Sequence, residues 1–381
     1  MRAQHGLGRR ADTIKSILVI LPSLILIGIF VYGFIGNTIY VSLTDWGRGA
    51  GLAERPVKNF VGLENYVQLF TGFIHARFRQ DLVNAIFYTL FVLAGTLGLG
   101  LLLAMLLDRA VRADALFKTV FLYPMALSFI VSGTIWRWLL APSGGINLLP
   151  TVFGAEKWEF LWISSRDTVL SFNWQRFPQI VLIVLSVIFT ALLLRTALAR
   201  KSVHSRKRIL RFAALALAGW LLVLLFGAIR EKVLPYPEPH GFNLATLGII
   251  IAAVWQYSGY TMAMFLAGLQ GLPAGIRESA RIDGAGEIKY YWHIAIPNLR
   301  SITFSAVIML SHISLKMFDL IFAMAGADNA NTGHPSVNMY LTTFRANNFA
   351  VGAGIAVIMF MLAALLIIPY LIHSYRERAG L

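Results

Sequence analysis

From 82 to 107 the chain runs without a charged residue, and seven other long apolar runs occupy 17–34, 117–140, 179–198, 212–229, 244–269, 302–324 and 351–372. Runs of this kind suit the hydrocarbon layer of a membrane, about 30 Å thick, which an α-helix crosses with every backbone N–H and C=O satisfied internally. Composition points the same way: 57% of the residues are apolar and only 13% charged, where soluble domains carry about a quarter. The expected fold class is an all-α membrane protein of about eight transmembrane helices. Without cysteine the chain has no disulfide, no thiolate metal site and no cysteine nucleophile.

A formal charge of +15 invites a nucleic-acid reading, but the charges sort by side of the membrane rather than gathering in one patch. Of the 33 Lys and Arg residues, 20 fall at the ends shared with segment 270–300 and 12 at the opposite ends. The excess marks the first side as cytoplasmic. Arg2, Arg9, Arg10 and Lys15 precede the first run, which is long for a secretory signal and is followed by no small-x-small cleavage pattern. It reads as an uncleaved span, and Arg9-Arg10 as positive-inside charge rather than a twin-arginine signal. The expected organisation is a cytoplasmic N-terminus and first helix (1–36), a periplasmic loop (37–81), helices two and three (82–141) and a second periplasmic loop (142–178). A helical hairpin (179–230), a core (244–373) containing a cytoplasmic loop at 270–300, and a cytoplasmic tail (374–381) complete it.

Local signals refine the spans. Ala94 with Gly98, and Gly100 with Ala104, are small-residue pairs at i, i+4, suited to close helix packing. Tyr123-Pro124 should kink the third span. Pro235, Pro237 and Pro239 predict an extended external link. The basic cluster from Arg195 to Arg211 reads as a topology anchor between two spans, with anionic lipid or nucleic acid as other possible ligands.

Segment 275–297 is the polar island built to be touched. Residues 276–283 can form a short helix that puts Ile276, Ser279, Ala280 and Asp283 in one sector. Asp283-Gly284 turns the chain, Ala285-Gly286 leave little side chain, and a second helix starts at Glu287 and carries Tyr290, Tyr291 and Trp292. Pro297 is expected at the start of the next run. The product is a helix-turn-helix shaped for a groove on another protein.

Glu278-Ser279-Ala280, Asp283-Gly284-Ala285, and Ile294, Ile296 and Pro297 closely resemble the "EAA" coupling loop of binding-protein-dependent ABC importer permeases, in the form found in maltose-type carbohydrate importers. Ser279 stands where alanine is usual. Trp255-Gln256, the run from Phe265 to Pro273, Ser42-Leu43-Thr44, the run from Val61 to Tyr66, and Leu116-Phe117, Phe121-Leu122, Pro124 and Ile135-Trp136 extend the resemblance. It implies the ABC importer permease fold, a six-helix family core to which the hairpin 179–230 is added. It implies as partners a second permease in a heterodimer, an ABC ATPase dimer, a periplasmic or lipid-anchored solute-binding protein and a carbohydrate: an oligosaccharide, an α-glucoside or a related polyol. On this resemblance Gly275, Glu278, Ser279, Ala280, Asp283, Gly284, Ala285 and Pro297 form the ATPase-coupling site. Glu278 would make a charged contact, while Ala280 and Gly284 would allow close approach. The chain lacks a Gly-rich phosphate loop ending in Lys-Ser or Lys-Thr, so it is expected to be no enzyme, with ATP and Mg on the partner ATPase.

For the solute, paired hydrogen-bond groups and flat aromatic faces suit a sugar. Trp255, Gln256, Tyr257 and Tyr260 supply both, though an interfacial aromatic belt explains them equally. Ser311, His312, Lys316 and Asp319 lie within the seventh run, with 312, 316 and 319 on one helical face. They read as solute contacts or, for Lys316 and Asp319, as a pair neutralising each other. An alternative is an ion- or proton-coupled secondary transporter with His312, Lys316 and Asp319 as a relay. The stretch from Gly326 to Gly333 resembles a Gly-rich external loop of the family, which implies a surface that a solute-binding protein could touch.

Overall fold

The computed structural model describes residues 17–48, 58–109, 113–198, 203–233 and 236–379. Arg2, Arg9, Arg10, Lys15 and Pro235, and residues 199–202 within the basic cluster, lie outside the described residues. Among the described residues six helices are long and apolar enough to cross a membrane, and two sharply bent pairs bring the number to eight. The chain divides into two units, one formed by both ends of the sequence (1–69 with 335–381) and one by 70–334.

In the terminal unit, α1 (Ile17–Ser42) packs against α14 (Phe349–Ala379). The loop after α1 is held by α2 (Glu64–Thr71), whose fully buried Asn65 donates through Nδ2 to the carbonyls of Ser42 (2.8 Å) and Thr44 (2.7 Å). Arg48 donates to Asn65 Oδ1 at 2.6 Å and pairs with Glu64 at 3.0 Å. These bonds explain why the Ser-Leu-Thr and Glu-Asn-Tyr signals occur together: the second supplies the partners the first lacks. Helix α13 (Pro335–Tyr340) and a π turn at Leu341–Arg345 precede α14.

The central unit is built on α3 (Ala76–Leu107) and α8 (Ala245–Gln270), which cross where a Cβ on Gly100 would lie 2.0 Å from Thr261 Oγ1. Thr261 Oγ1 donates to the Thr96 carbonyl at 2.8 Å, a bond available only at that close approach. The Gly100 and Ala104 expectation therefore holds, whereas a Cβ on Gly98 would meet nothing within 4 Å among the described residues. Helix α4 (Asp114–Ala126) meets α8 as closely, because a Cβ on Gly259 would sit 1.9 Å from the Phe121 carbonyl oxygen. Backbone cannot yield as a side-chain tip does, so Gly259→Val should strip α4 from α8 and cost about 1–3 kcal/mol or more. A fall in melting temperature of the detergent-solubilised protein measures it.

Helix α3 begins at Ala76, ahead of the expected span, because Arg77 and Arg79 find partners far along the chain, at the Ala327 carbonyl and Glu238. The third span is two helices, α4 and α5 (Phe129–Leu139), bent by 98°. Pro124 weakens the turn, Leu127 is extended, and Ser128 caps α5 by accepting from the Val131 N–H at 3.3 Å. The hairpin is present as α6 (Phe177–Leu198) packed on α7 (Val203–Val233). Strands β1 (Thr168–Asn173) and β2 (Pro239–Asn243) pair antiparallel across it, so the loop before the hairpin and the link after it are joined rather than independent.

Candidate functional site

The elbow consists of α9 (Ala274–Ile282) and α10 (Glu287–Asn298), joined by Asp283 to Gly286. Its turn is a Schellman motif: the Ala285 N–H reaches the Ala280 carbonyl at 2.9 Å and the Gly284 N–H reaches Arg281 at 3.0 Å. Gly284 takes φ +75°, the left-handed conformation that glycine adopts without strain. A Cβ there would meet nothing within 4 Å, so the glycine serves the turn and leaves the tip open.

The expected single sector of α9 divides in two. Ile276 and Ala280 point inward and pack with Ala104, Leu107, Phe265, Leu269, Tyr291 and Leu299, at the ends of α3 and α8 and on α10. Ala280 therefore serves packing inside this chain, correcting the expectation that it admits an outside cleft. Gly275, Glu278, Ser279, Asp283 and Gly284 are exposed, and Ala285 is half-buried. Around them stand Ile282 (86% exposed), Ile288 (75%) and Trp292 (66%), an apolar rim that charge and turn signals did not single out. Pro297 lies at the close of α10, not at the start of the next helix. A π turn, Tyr291–Ala295, precedes it where a regular helix would press the ring on the His293 carbonyl.

Beneath the elbow, Arg277 ties its own helix, α9, to α10 and to the end of α3. Its Nη1 donates to Asp108 Oδ2 at 2.9 Å and its Nη2 to Glu287 Oε2 at 2.8 Å, while Arg281 bonds Glu287 Oε1 at 2.9 Å. The Tyr291 hydroxyl donates to the same Asp108 oxygen at 2.8 Å. A polar recess of about 320 Å³ is lined by Asp108, Arg109, Arg277, Arg281 and Glu287. Hydrogen bonds from Arg277, then Arg281, hold the Glu287 carboxyl below its usual range, and the Arg277 guanidinium is pushed up, first by its bond to Glu287. Burial, then the bond to Asp108, raises the Tyr291 hydroxyl.

The residues expected to meet solute are only partly brought together. Gln256 is 1% exposed and donates to the Leu127 carbonyl at 3.2 Å, the group set free by the break between α4 and α5. Its amide N–H is thus engaged in repairing backbone rather than free for sugar. Trp255 stands edge-on to Trp136 at 5.8 Å, Tyr257 is buried beside Phe129, and Tyr260 is half-buried. The seventh span is not continuous. Helix α11 (Arg300–Leu315), bent 68° from α10 at Leu299, ends before Lys316, and α12 (Asp319–Ala325) starts three residues later. His312 and Lys316 keep their i, i+4 relation, but Asp319 leaves that face, so the three-residue relay face does not exist. Lys316 sits at a helix C-terminus and Asp319 at an N-terminus, each favoured there by the helix dipole. Among the described residues no ion pair joins them. Ser311 is buried.

The stretch 326–333 is pinned to the first turns of α3. Asn84 donates to the Gly333 carbonyl at 2.9 Å, Tyr88 to that of Thr332 at 3.1 Å and Arg77 to that of Ala327 at 2.6 Å. Beside it, fully buried Arg79 forms a two-pronged pair with Glu238 and donates to the Gly72 carbonyl at 2.9 Å, while His240 bridges Glu238 and Gln80.

The family model described as binding-protein-dependent transport system inner membrane component matches residues 210–379, which contain the whole elbow. A probable ABC transporter permease protein of Pyrococcus horikoshii is 34% identical over 369 residues, covering 97% of this chain and 98% of that protein. A xylose/arabinose import permease protein of Haloferax volcanii is 28% identical over 93% of this chain and 86% of its own length. Among solved structures, a chain of a bacterial alginate ABC transporter, in complex with an alginate pentasaccharide-bound periplasmic protein, superposes with a TM-score of 0.61 at 14% identity. That match covers 100% of this chain and 98% of the other, and shows a shared fold. Taken with the apolar helices and the elbow, these likenesses assign the chain: it is a multi-pass membrane protein belonging to the binding-protein-dependent ABC importer permeases.

Proposed function

We propose that this chain is the carbohydrate-conducting permease subunit of an ATP-driven importer, and that the exposed side of its elbow is the seat of the ATPase. The observation that carries the reading is the elbow itself: a rigid turn on a buried apolar base, with Glu278, Ser279, Asp283 and Gly284 open and ringed by Ile282, Ile288 and Trp292. Such a surface offers two carboxylates, close backbone approach and apolar area to a groove. The positive-inside bias puts it in the cytoplasm with both chain termini, where ATP and Mg held by an ATPase dimer are at hand. Closure of that dimer would move the elbow as a rigid body and switch access between the two sides.

The partners of this reading are a second permease, the ATPase dimer and an extracytoplasmic solute-binding protein. The cargo is a carbohydrate, in keeping with the pentose permease among its relatives and with the aromatic and polar groups of α8 and α11. A relay through His312, Lys316 and Asp319 is not favoured, because the break at 316–318 takes Asp319 off the face of the other two. Reconstitution in proteoliposomes tests the reading. Sugar uptake should require the ATPase, ATP and the loaded binding protein together; uptake driven by an ion gradient with no ATPase present would overturn it.

A further inference from the structure

Asp108 is oddly placed. It caps the C-terminus of α3, where the helix dipole disfavours an anion, and its side chain is only 9% exposed. A carboxylate so situated is tolerated where donors compensate it. Both donors belong to the elbow: Arg277 Nη1 from α9 at 2.9 Å and the Tyr291 hydroxyl from α10 at 2.8 Å. The remaining contacts between α9 and the helix ends are apolar and non-directional, through Ile276 and Ala280. Grease of that kind resists separation but not sliding. The Arg277–Asp108 bond is directional and fixes where α3 ends relative to the elbow.

The far end of α3 is equally tied. Over its first turns Arg79, Gln80, Asn84 and Tyr88 bond Glu238, the Gly241 carbonyl, and the carbonyls of Gly333 and Thr332. Helix α3 is thus a rod of about 48 Å at 1.5 Å per residue, latched to the elbow at one end and to β2 and the 331–333 turn at the other.

We propose that Asp108 is a positioning residue for transport, the latch through which displacement of the elbow is delivered along α3 to the opposite face. This rests on the importer reading above and deepens it, assigning the transmission to one ion pair of this chain and not to the ATPase seat. A local arrangement that opposes its own helix, and is rescued only by the part that must move, is what a coupling joint requires.

The experiment uses the complete importer, reconstituted with the Asp108→Asn and Asp108→Glu variants. With Asp108→Asn, the ATPase should still co-purify and hydrolyse ATP at its unstimulated rate. Sugar uptake, and the rise in hydrolysis caused by loaded binding protein, should fall by about tenfold, within the 5–150-fold usual for a coupling free energy. Asp108→Glu, which keeps the charge, should recover most of both. Uptake within twofold of the unaltered importer in Asp108→Asn would overturn the latch while leaving the importer reading intact. Loss of ATPase binding in step with uptake would also overturn it, by making Asp108 part of the seat. Failure of the unaltered chain to retain an ATPase at all would remove the importer reading, and the latch with it.

Discussion

Arg79→Leu is expected to cost this fold about 3–5 kcal/mol, the usual penalty for removing one partner of a buried ion pair. The guanidinium is 1% exposed and three of its nitrogens are engaged, two by Glu238 and one by the Gly72 carbonyl. Without it, among the described residues the Glu238 carboxylate keeps only its bond to His240, and the end of α3 loses one of its ties to the β2 segment, Gln80 keeping another. Burial by itself would raise the Glu238 carboxyl, yet the bonds from Arg79 and His240 hold it below its usual value; burial lowers His240. In both groups the unfolded chain binds protons more readily, so stability rises with pH and falls as the solution is acidified below the ordinary histidine value of about 6.5. Thermal unfolding in detergent should show a drop on the order of 10 °C for Arg79→Leu at neutral pH. Adding Glu238→Leu should restore part of it, since removing both charges leaves none stranded. An unchanged melting temperature in the single variant would show that the pair carries no load.

Glu278→Lys is expected to abolish uptake while leaving the helices inserted and folded. Among the described residues Glu278 has no hydrogen-bond or ion-pair partner within this chain, and it is exposed on α9. Changes at such surface positions usually alter stability by less than about 0.5 kcal/mol. At an interface, loss of one partner of a desolvated charge pair costs about 2–5 kcal/mol, and reversal of its sign adds repulsion. ATPase binding should therefore weaken by about 30-fold or more, at 1.4 kcal/mol per tenfold. Co-purification of the ATPase with the variant reads this directly; retention equal to that of the unaltered chain, with normal uptake, would remove Glu278 from the seat.

What the sequence exposes here is local. Hydropathy marks the six continuous apolar helices, because an apolar run of that length has few other destinations, and the elbow is legible because its Schellman turn uses neighbours in sequence: Ala280, Arg281, Gly284 and Ala285. The breaks were harder. Pro124 announced a kink, but its sharpness depends on Ser128 capping a new helix and on Gln256 taking up the Leu127 carbonyl. At Lys316–Phe318 no glycine or proline marks the stop, so periodicity carried His312, Lys316 and Asp319 onto one face they do not share. The start of α3 was obscured for the opposite reason: Arg79 reads as the end of an apolar run until its partner, Glu238, is brought to it from 159 residues away. The same holds for Arg277 and Asp108, separated by 169 positions. Pairings of that range are written in the fold, and composition around each partner does not announce them.

Gly100 against Thr261 and Gly259 against the Phe121 backbone leave no slack between α8 and its neighbours α3 and α4. Helices meshed at that clearance cannot creep past one another by fractions of a turn, so the three travel as one body, and a push on α3 carries α4 and α8 with it. Bending within this unit is then left to the breaks at Leu127–Ser128, Leu299 and Lys316–Phe318, the first and last of which lead into the short half-helices α5 and α12.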